Sequence, residues 1–156
     1  MRRIVTGLVA AAALSVGLFV GSPIAKSNTG PFDFNLEIVG TGAAGTTMTF
    51  LLSEAHPEVH FLILASPNQE GMVIDPFRTP LGDAPPFNLC VGRPTLRVAT
   101  GRMDSGGFAI ANRRVPPTLH PQAAGRVFYF QAYYVAFNGM NPKGFVSDVE
   151  TALIHY

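Results

Sequence analysis

Hydrophobic and polar residues alternate along much of the chain with the two-residue period of β-strands. The first example is segment 32–39, in which Phe34, Leu36 and Ile38 share one side while the positions between them are polar. Such alternation indicates a strand with one buried face. The apolar runs 46–52 and 59–65 predict two further strands. Outside the first 27 residues no stretch has the 3.6-residue period of an amphipathic helix, so the pattern favours an all-β fold.

The longest apolar stretch of the folded part, residues 125–137, is predicted to be the central strand. It contains six aromatic residues, and the pair Asn138-Gly139 ends it. Aromatic and β-branched residues favour strands, and a stretch that is apolar on both faces favours the middle of a sheet. We therefore expect a strand of about eleven residues here, with at least one face in the core.

Five shorter segments complete the predicted set of strands. Two of them, 95–103 and 108–115, flank Asp104-Ser-Gly-Gly107, and because Gly tolerates the positive φ of tight turns we predict a hairpin. The five segments are 72–74, 87–91, 95–103, 108–115 and 146–156.

About seven to nine strands at this spacing are typical of an antiparallel β-sandwich. We predict a single all-β domain over residues 28–156, a sandwich of immunoglobulin-like or jelly-roll-like type. The residues predicted for its core are Phe34, Leu36, Ile38, Phe50, Leu52, Phe61, Ile63, Val98, Phe108, Ile110, Phe128, Phe130 and Leu153.

Residues 1–27 are predicted to be a signal peptide rather than part of the fold. Met1-Arg-Arg3 is basic, the run from Ile4 to Val20 is apolar or small, and Ala25-Lys-Ser27 offers small residues for cleavage. We therefore expect a secreted, periplasmic or cell-surface protein of a bacterium, with no membrane span after cleavage. If the segment is retained, the uncharged run from Ile4 to Ala25 is long enough to anchor the protein in a bilayer.

The charge balance argues against nucleic acid as a partner. Cleavage removes Arg2, Arg3 and Lys26, which leaves 8 of the 11 basic residues against 10 acidic ones and a formal net charge of −2. Nucleic-acid-binding domains normally carry a basic surface. The single cysteine, Cys90, cannot form a disulfide within the chain, so it is either a small buried residue or a bridge to another molecule.

Several turn and strand residues recur in a recognisable order. They are Gly101, Asp104 and Gly107 (G-x-x-D-x-x-G), Val115-Pro116, then Gly125, Tyr129 and Gln131 (G-x-x-x-Y-x-Q), and finally Ser147-Asp148. This order resembles a small β-sandwich module of unassigned function found in secreted bacterial proteins, which has Ser-Asn where this chain has Ser147-Asp148. The resemblance covers most of residues 34–156. It implies a β-sandwich outside the cytoplasm, and its motif residues belong to turns and strands rather than to a catalytic site.

The turn Asp104-Ser105-Gly106-Gly107 is compared with two protease loops, and neither is supported. A trypsin-like triad needs far more chain than separates His56 from Ser105. In a retroviral-type aspartic protease the Asp-Ser-Gly loop comes early in the domain, and an apolar residue stands where this chain has Arg102. We predict a tight turn here and no catalytic residues.

His56, Glu58 and His60 form the candidate metal site. If a strand begins at Ala55, alternation places all three side chains on one face, in the manner of a two-histidine, one-carboxylate site. The alternative is an exposed polar edge at a junction between loop and strand. A calcium site formed by Asp75, Asp83 and Asp104 depends on whether the fold brings them together.

Tyr129, Gln131 and Tyr133 form the candidate ligand-binding site. They share one face of the predicted central strand, and an aromatic–polar–aromatic stripe can stack on successive sugar rings. The alternative is that another layer of the protein covers this face, as happens to most aromatic residues of central strands.

These observations predict a secreted or envelope-associated protein without enzymatic activity or a cofactor. Its role is then binding or structural, through an extracellular protein partner or through homo-oligomers that dock at strand edges. The alternative is a carbohydrate-binding module that recognises a polysaccharide through the tyrosine face. A metal-dependent hydrolase built on His56, Glu58 and His60 is the third hypothesis.

Overall fold

The computed structural model describes residues 33–74, 86–138 and 141–156, and the signal-peptide prediction for residues 1–27 lies outside them. The described residues form strands, turns and loops without a helix, so the all-β prediction is confirmed. They accordingly include no helical segment able to cross a membrane. The strands are β1 (Asn35–Val39), β2 (Gly42–Ala43), β3 (Thr47–Ser53), β4 (His60–Ser66), β5 (Met72–Ile74), β6 (Phe87–Leu89), β7 (Leu96–Arg102), β8 (Ala109–Arg114), β9 (Arg126–Asn138) and β10 (Asn141–His155).

The strands form two main sheets and one separate pair. The smaller sheet has the order β1-β3-β8 and the larger one the order β2-β10-β9-β4-β7, while β5 pairs with β6. The named strands pair antiparallel except for β2 and β10, which pair in parallel over two residues. A second parallel contact is the isolated bridge between Phe34 and Ser147. The predicted antiparallel pairing therefore holds for the main body of both sheets.

Strand β9 lies in the interior of the larger sheet, as its composition predicts. It is flanked by β4 on one side and by β10 on the other. Its even-numbered residues from Phe128 to Ala136 are all buried on the face that meets the smaller sheet. A large apolar side chain contributes about 1.5–3 kcal/mol when it is removed from water, so this face is a main source of stability.

The two main sheets enclose one hydrophobic core. The rings of Phe50 and Phe130 have their centroids 5.5 Å apart, and those of Phe34 and Tyr134 are 4.9 Å apart. Phe50 belongs to β3 of the smaller sheet, Phe34 directly precedes β1 of that sheet, and both of their partners belong to β9, so these ring pairs link the two sheets. The core of the described residues therefore draws its side chains from both main sheets.

The predicted hairpin between β7 and β8 is wrong. Strand β7 pairs with β4 in the larger sheet, whereas β8 pairs with β3 in the smaller one. The turn itself forms locally, because Asp104 Oδ1 accepts hydrogen bonds from the N–H groups of Gly106 (2.8 Å) and Phe108 (2.9 Å). A turn fixes the local direction of the chain and does not choose the strand that each arm pairs with. Residues 103–108 thus carry the chain from one sheet to the other.

Three residues predicted for the core are exposed instead. Phe108 is 38% exposed, Ile110 58% and Leu153 47%. Strand β8 turns Ala109 inward, so its larger neighbour Ile110 faces out. In β10 the register shifts between Val146 and Val149, and this irregularity changes which later residues face the core. Leu153 is therefore opposite the exposed Val127 rather than in the interior.

Candidate functional site

The predicted metal site does not assemble. Strand β4 begins at His60 rather than at Ala55, and His56 and Glu58 lie in the preceding loop, so the alternation needed to align the three side chains is absent. The carboxylate of Glu58 pairs with Arg102, with 3.3 Å between Oε2 and Nη2. The ring of His56 packs on Phe145, with centroids 4.6 Å apart.

Elsewhere in the described residues, too, no cluster of three His, Cys, Asp or Glu side chains is suited to hold a metal ion. The calcium hypothesis falls on Asp75 and Asp83, which lie outside the described residues. Asp104, its third member, uses its carboxylate to cap the 104–108 turn.

The candidate sugar-binding stripe is covered by other parts of the protein. Tyr133 is 2% exposed, and its ring lies 5.4 Å from that of Phe87 in β6. Gln131 is fully buried, and Tyr129 is half-buried against the same small cluster. The three residues do share one face of β9, but the open stripe that stacking on a sugar requires is absent.

Gln131 has a structural role in this arrangement. Its Oε1 accepts a hydrogen bond from the N–H of Cys90 (2.8 Å), and its Nε2 donates one to the C=O of Ser147 (2.8 Å). One side chain therefore ties the segment after β6 to the irregular part of β10. A buried amide needs such partners, because an unpaired polar group in the interior destabilises the fold.

Ser147 and Asp148 join the two sheets at the register shift of β10. The hydroxyl of the buried Ser147 accepts a hydrogen bond from the N–H of Ala132 (2.9 Å) and donates one to the C=O of Asp148 (2.7 Å). Asp148 Oδ1 accepts a hydrogen bond from the N–H of Leu36 in β1 (2.7 Å). The side-chain oxygen of an asparagine can accept that last bond equally well.

A cleft between the two main sheets is the site that sequence reasoning missed. It lies on the side where β7 and β8 form the edges of their sheets, and it encloses about 260 Å³. Its floor consists of buried apolar side chains from both sheets, including Met48 and Phe50 of β3 and Phe128 and Phe130 of β9. The loop between β8 and β9 adds Leu119 to the wall. We call this space the β7–β8 cleft.

The rim of the β7–β8 cleft is positively charged. Arg97, Arg113 and Arg114 line it, and among the residues that the structure describes no Asp or Glu does. Within the described residues the ion pairs seen are Arg102 with Glu58 and Lys143 with Asp33, so the three rim arginines are left without an acidic partner.

Arg113 has an unusual position for a charged residue. It is opposite Met48 in the register of β8 and β3, and residues directly opposite in an antiparallel pair share a face. Met48 is buried, so Arg113 lies on the inner face of the smaller sheet, at the exposed mouth of the cleft. The signal available in the sequence was the alternation Ala109, Ala111, Arg113, which places two small residues and one arginine on the same face of β8.

His120 is the other ionisable residue on the rim. Its Nδ1 accepts a hydrogen bond from the N–H of Gln122 (3.3 Å). Because Nδ1 accepts this bond, Nε2 is the ring nitrogen that can donate to a ligand. Together the floor and the rim offer apolar contact inside and hydrogen-bond donors with positive charge at the mouth.

Comparison with known proteins places this chain in no family. No protein-family model matches it, and no curated protein matches it. Among solved structures, a sporulation control protein from Bacillus subtilis, Spo0M, is similar over 80% of this chain and 50% of its own, with 9% identity and a TM-score of 0.33. The chain thus spans about half the length of that protein, and a TM-score this low does not establish a shared fold.

Proposed function

We propose that this protein is a secreted or envelope-associated binding protein, without enzymatic activity, that holds an apolar ligand in the β7–β8 cleft. The observation that carries the proposal is the buried apolar floor, which reaches an opening between two sheet edges. Concave sites lined mainly by hydrophobic side chains, with a few polar groups at fixed positions, are the usual form of small-molecule sites.

The chemistry of the lining supports binding rather than a reaction. Apart from three arginines and His120, every described residue that lines the cleft is apolar. Apolar surfaces and fixed positive charges supply affinity and orientation, whereas hydrolysis commonly relies on a nucleophile or a pair of acid and base groups.

The location outside the cytoplasm is part of the proposal and rests on the sequence. A basic start followed by an apolar run and small residues is the pattern of a signal peptide. The resemblance to a module of secreted bacterial proteins agrees with that pattern, and the hydrogen bonds of Gln131 and Ser147 give two of the module's motif residues a structural purpose.

The binding proposal is tested with the neutral fluorophore phenylnaphthylamine, whose emission rises when it leaves water. We expect the purified protein to bind it saturably. The variant Val98→Phe enlarges a half-buried side chain that lines the cleft, and it should weaken binding by about tenfold or more because it fills the site.

The matched control is Val127→Phe, the same change on the exposed outer face of β9. It should leave binding unchanged. Circular dichroism confirms that both variants fold. Absence of saturable binding to the wild-type protein, or equal weakening in the two variants, contradicts the proposal.

Self-association at a strand edge is a second candidate function. Within the described residues β8 pairs only with β3; the first part of its other edge, Ala109–Asn112, is uncharged and exposes Ile110, while Arg113 and Arg114 charge its end. Strand β7 is a poorer candidate, because the register shift opposite Ile63 and the arginines at 97 and 102 protect its edge. Sedimentation analysis should show dimers that Ile110→Lys dissociates; a wild-type monomer at all concentrations excludes this candidate.

A further inference from the structure

We infer that the ligand of the β7–β8 cleft is a single-chain amphiphile with a carboxylate head, such as a medium-chain fatty acid, and that Arg113 receives the head group. The inference rests on the proposed function and adds the chemical class of the ligand. It follows from the combination of an apolar floor with a positively charged mouth at which the described part of the chain places no acidic residue.

The position of Arg113 provides the charge complementarity. Its side chain leaves β8 on the inner face of the smaller sheet, the face that also carries the buried Met48. Arg113 is nevertheless exposed, because it lies at the mouth of the cleft. An arginine in this place can lay its aliphatic part along the apolar lip and keep its guanidinium at the opening. The guanidinium matches a carboxylate with two parallel hydrogen bonds, which makes it a better carboxylate receptor than a lysine.

The size of the cleft favours one hydrocarbon chain over two. Its volume of about 260 Å³ is just below the range of roughly 300–1,000 Å³ that drug-sized ligands occupy. A narrow chain can enter between β7 and β8 and leave its head in water at the rim. Each added methylene group should then strengthen binding about fourfold until the cleft is full.

The inward position of Arg113 on the edge strand β8 has a second explanation, which does not involve a ligand. Charged residues that point inward at sheet edges prevent strands of other molecules from pairing there. If that were the purpose of Arg113, its neutralisation would cause aggregation and leave the affinity for a carboxylate unchanged. The two explanations therefore differ in a measurable quantity.

The test compares ligands that share a chain and differ in the head group. Calorimetric titration of the purified protein should give the highest affinity for decanoate, a lower one for decanol and the lowest for decylamine. Decanoate should bind about tenfold more tightly than decanol because its carboxylate accepts charged hydrogen bonds. This comparison needs no variant. Equal affinity for decanoate and decanol, or preference for the amine, overturns the inference.

A variant locates the head group. Arg113→Gln should weaken decanoate binding about tenfold and leave decanol binding unchanged. Arg102→Gln is the control, because Arg102 is an exposed arginine of β7 that does not line the cleft. An unchanged affinity of Arg113→Gln for decanoate assigns the arginine to edge protection and overturns its role as receptor.

The outcomes also separate the inference from the proposed function. If phenylnaphthylamine binds in the cleft and decanoate does not, the cleft is a binding site for neutral ligands and only the inference fails. If neither compound binds, the proposed function fails with it.

Discussion

Gln131 illustrates, at the scale of one residue, how a polar side chain in the interior is tied to backbone groups. Both ends of its amide are engaged, one with the N–H of Cys90 and the other with the C=O of Ser147. An apolar side chain of similar size would leave the N–H of Cys90 and the C=O of Ser147 without these hydrogen-bond partners. The free-energy cost of such a loss exceeds that of the bonds themselves, because water cannot replace them.

We predict that Gln131→Leu lowers the free energy of unfolding by about 2–6 kcal/mol, since it leaves two backbone groups unpaired and each costs about 1–3 kcal/mol. Urea denaturation measures the change. Gln122→Ala, at an exposed position, is the control and should change stability by less than about 0.5 kcal/mol. Equal effects of the two substitutions contradict the account of Gln131.

Two tyrosines at the centre of the larger sheet link stability to alkaline pH. Burial raises the pKa of Tyr133 above its ordinary value of 10.0. Burial also raises the pKa of Tyr134, assisted by the negative charge of Asp33, although a hydrogen bond from the N–H of His56 to its hydroxyl oxygen acts the other way. The folded state therefore holds these phenol protons more tightly than the unfolded state does.

The sign of the pH dependence follows from that difference. The stability contributed by the neutral phenols is fully present below pH 10.0, the ordinary pKa, and is lost as the pH rises towards the raised pKa of the folded state. We predict that the thermal midpoint falls above pH 10.0 and that Tyr133→Phe, which keeps the ring packing on Phe87, makes the fall shallower. If the thermal midpoints of the wild type and of Tyr133→Phe depend on pH in the same way, Tyr133 does not contribute to the alkaline loss of stability.

At the scale of elements, two loops that cross between the sheets support each other. One joins β3 to β4, and the other joins β7 to β8. The N–H of Ala55 donates to the C=O of Gly107 (3.2 Å), and the N–H of Glu58 donates to the C=O of Asp104 (3.1 Å). Because neighbouring strands leave each sheet together, the two crossings lie side by side and share backbone hydrogen bonds.

Gly107 is the position at which this arrangement tolerates no side chain. Its φ is 75°, and a Cβ atom there would lie 2.1 Å from the carbonyl oxygen of Ala55. Gly125 has a similar φ of 73°, but a Cβ atom there would meet no atom within 4 Å. Substitutions at Gly107 and Gly125 therefore share the free-energy cost of a left-handed backbone, and only the substitution at Gly107 adds the cost of a steric clash.

We predict that Gly125→Ala lowers the free energy of unfolding by about 1–2 kcal/mol, the cost of the left-handed backbone alone. Gly107→Ala should cost clearly more, because the crossing loops must also move apart. Denaturation of both variants under the same conditions measures the difference. A smaller effect at Gly107 than at Gly125 means that the two loops are not packed as described.

Alternation along the chain predicted most strands, because side-chain burial acts on each strand separately. Strand β9 and the inward residues Phe34, Leu36 and Phe50 follow directly from it. The pairing of β7 and β8 did not follow, because the Asp104–Gly107 turn is compatible both with a hairpin and with a crossing between sheets. The choice depends on distant contacts, with β4 for one strand and β3 for the other.

The predictions for functional sites failed for the same reason, because contacts between distant segments are not visible in the pattern of one strand. Patterns within one strand placed Tyr129 and Tyr133 on a common face, but they could not reveal that β5 and β6 cover that face. The prediction that His56, Glu58 and His60 share a face required a strand that begins at Ala55. The turn that contains Glu58 prevents this, and β4 begins only at His60.

At the scale of the whole molecule, the β7–β8 cleft lies where the core shared by the two sheets opens between their edge strands β7 and β8. It combines Met48 of β3 with Phe128 of β9 and Leu119 of a later loop, which lie far apart in the sequence. In the sequence Arg113 stands beside Arg114, and nothing in that pair tells which of the two faces the core. Its place on the inner face became evident from the register with β3.

The central claim is that an apolar ligand enters this cleft, and the methionine methyl groups test it most directly. Met48 lines the cleft, whereas Met103 is buried in the core and does not line it. In a protein labelled with carbon-13 at the methionine methyl groups, the resonance of Met48 is identified by its loss in Met48→Leu. We predict that titration with phenylnaphthylamine shifts the Met48 resonance saturably and leaves that of Met103 in place. Saturable binding that leaves Met48 unmoved contradicts the account, because the ligand then occupies another part of the protein.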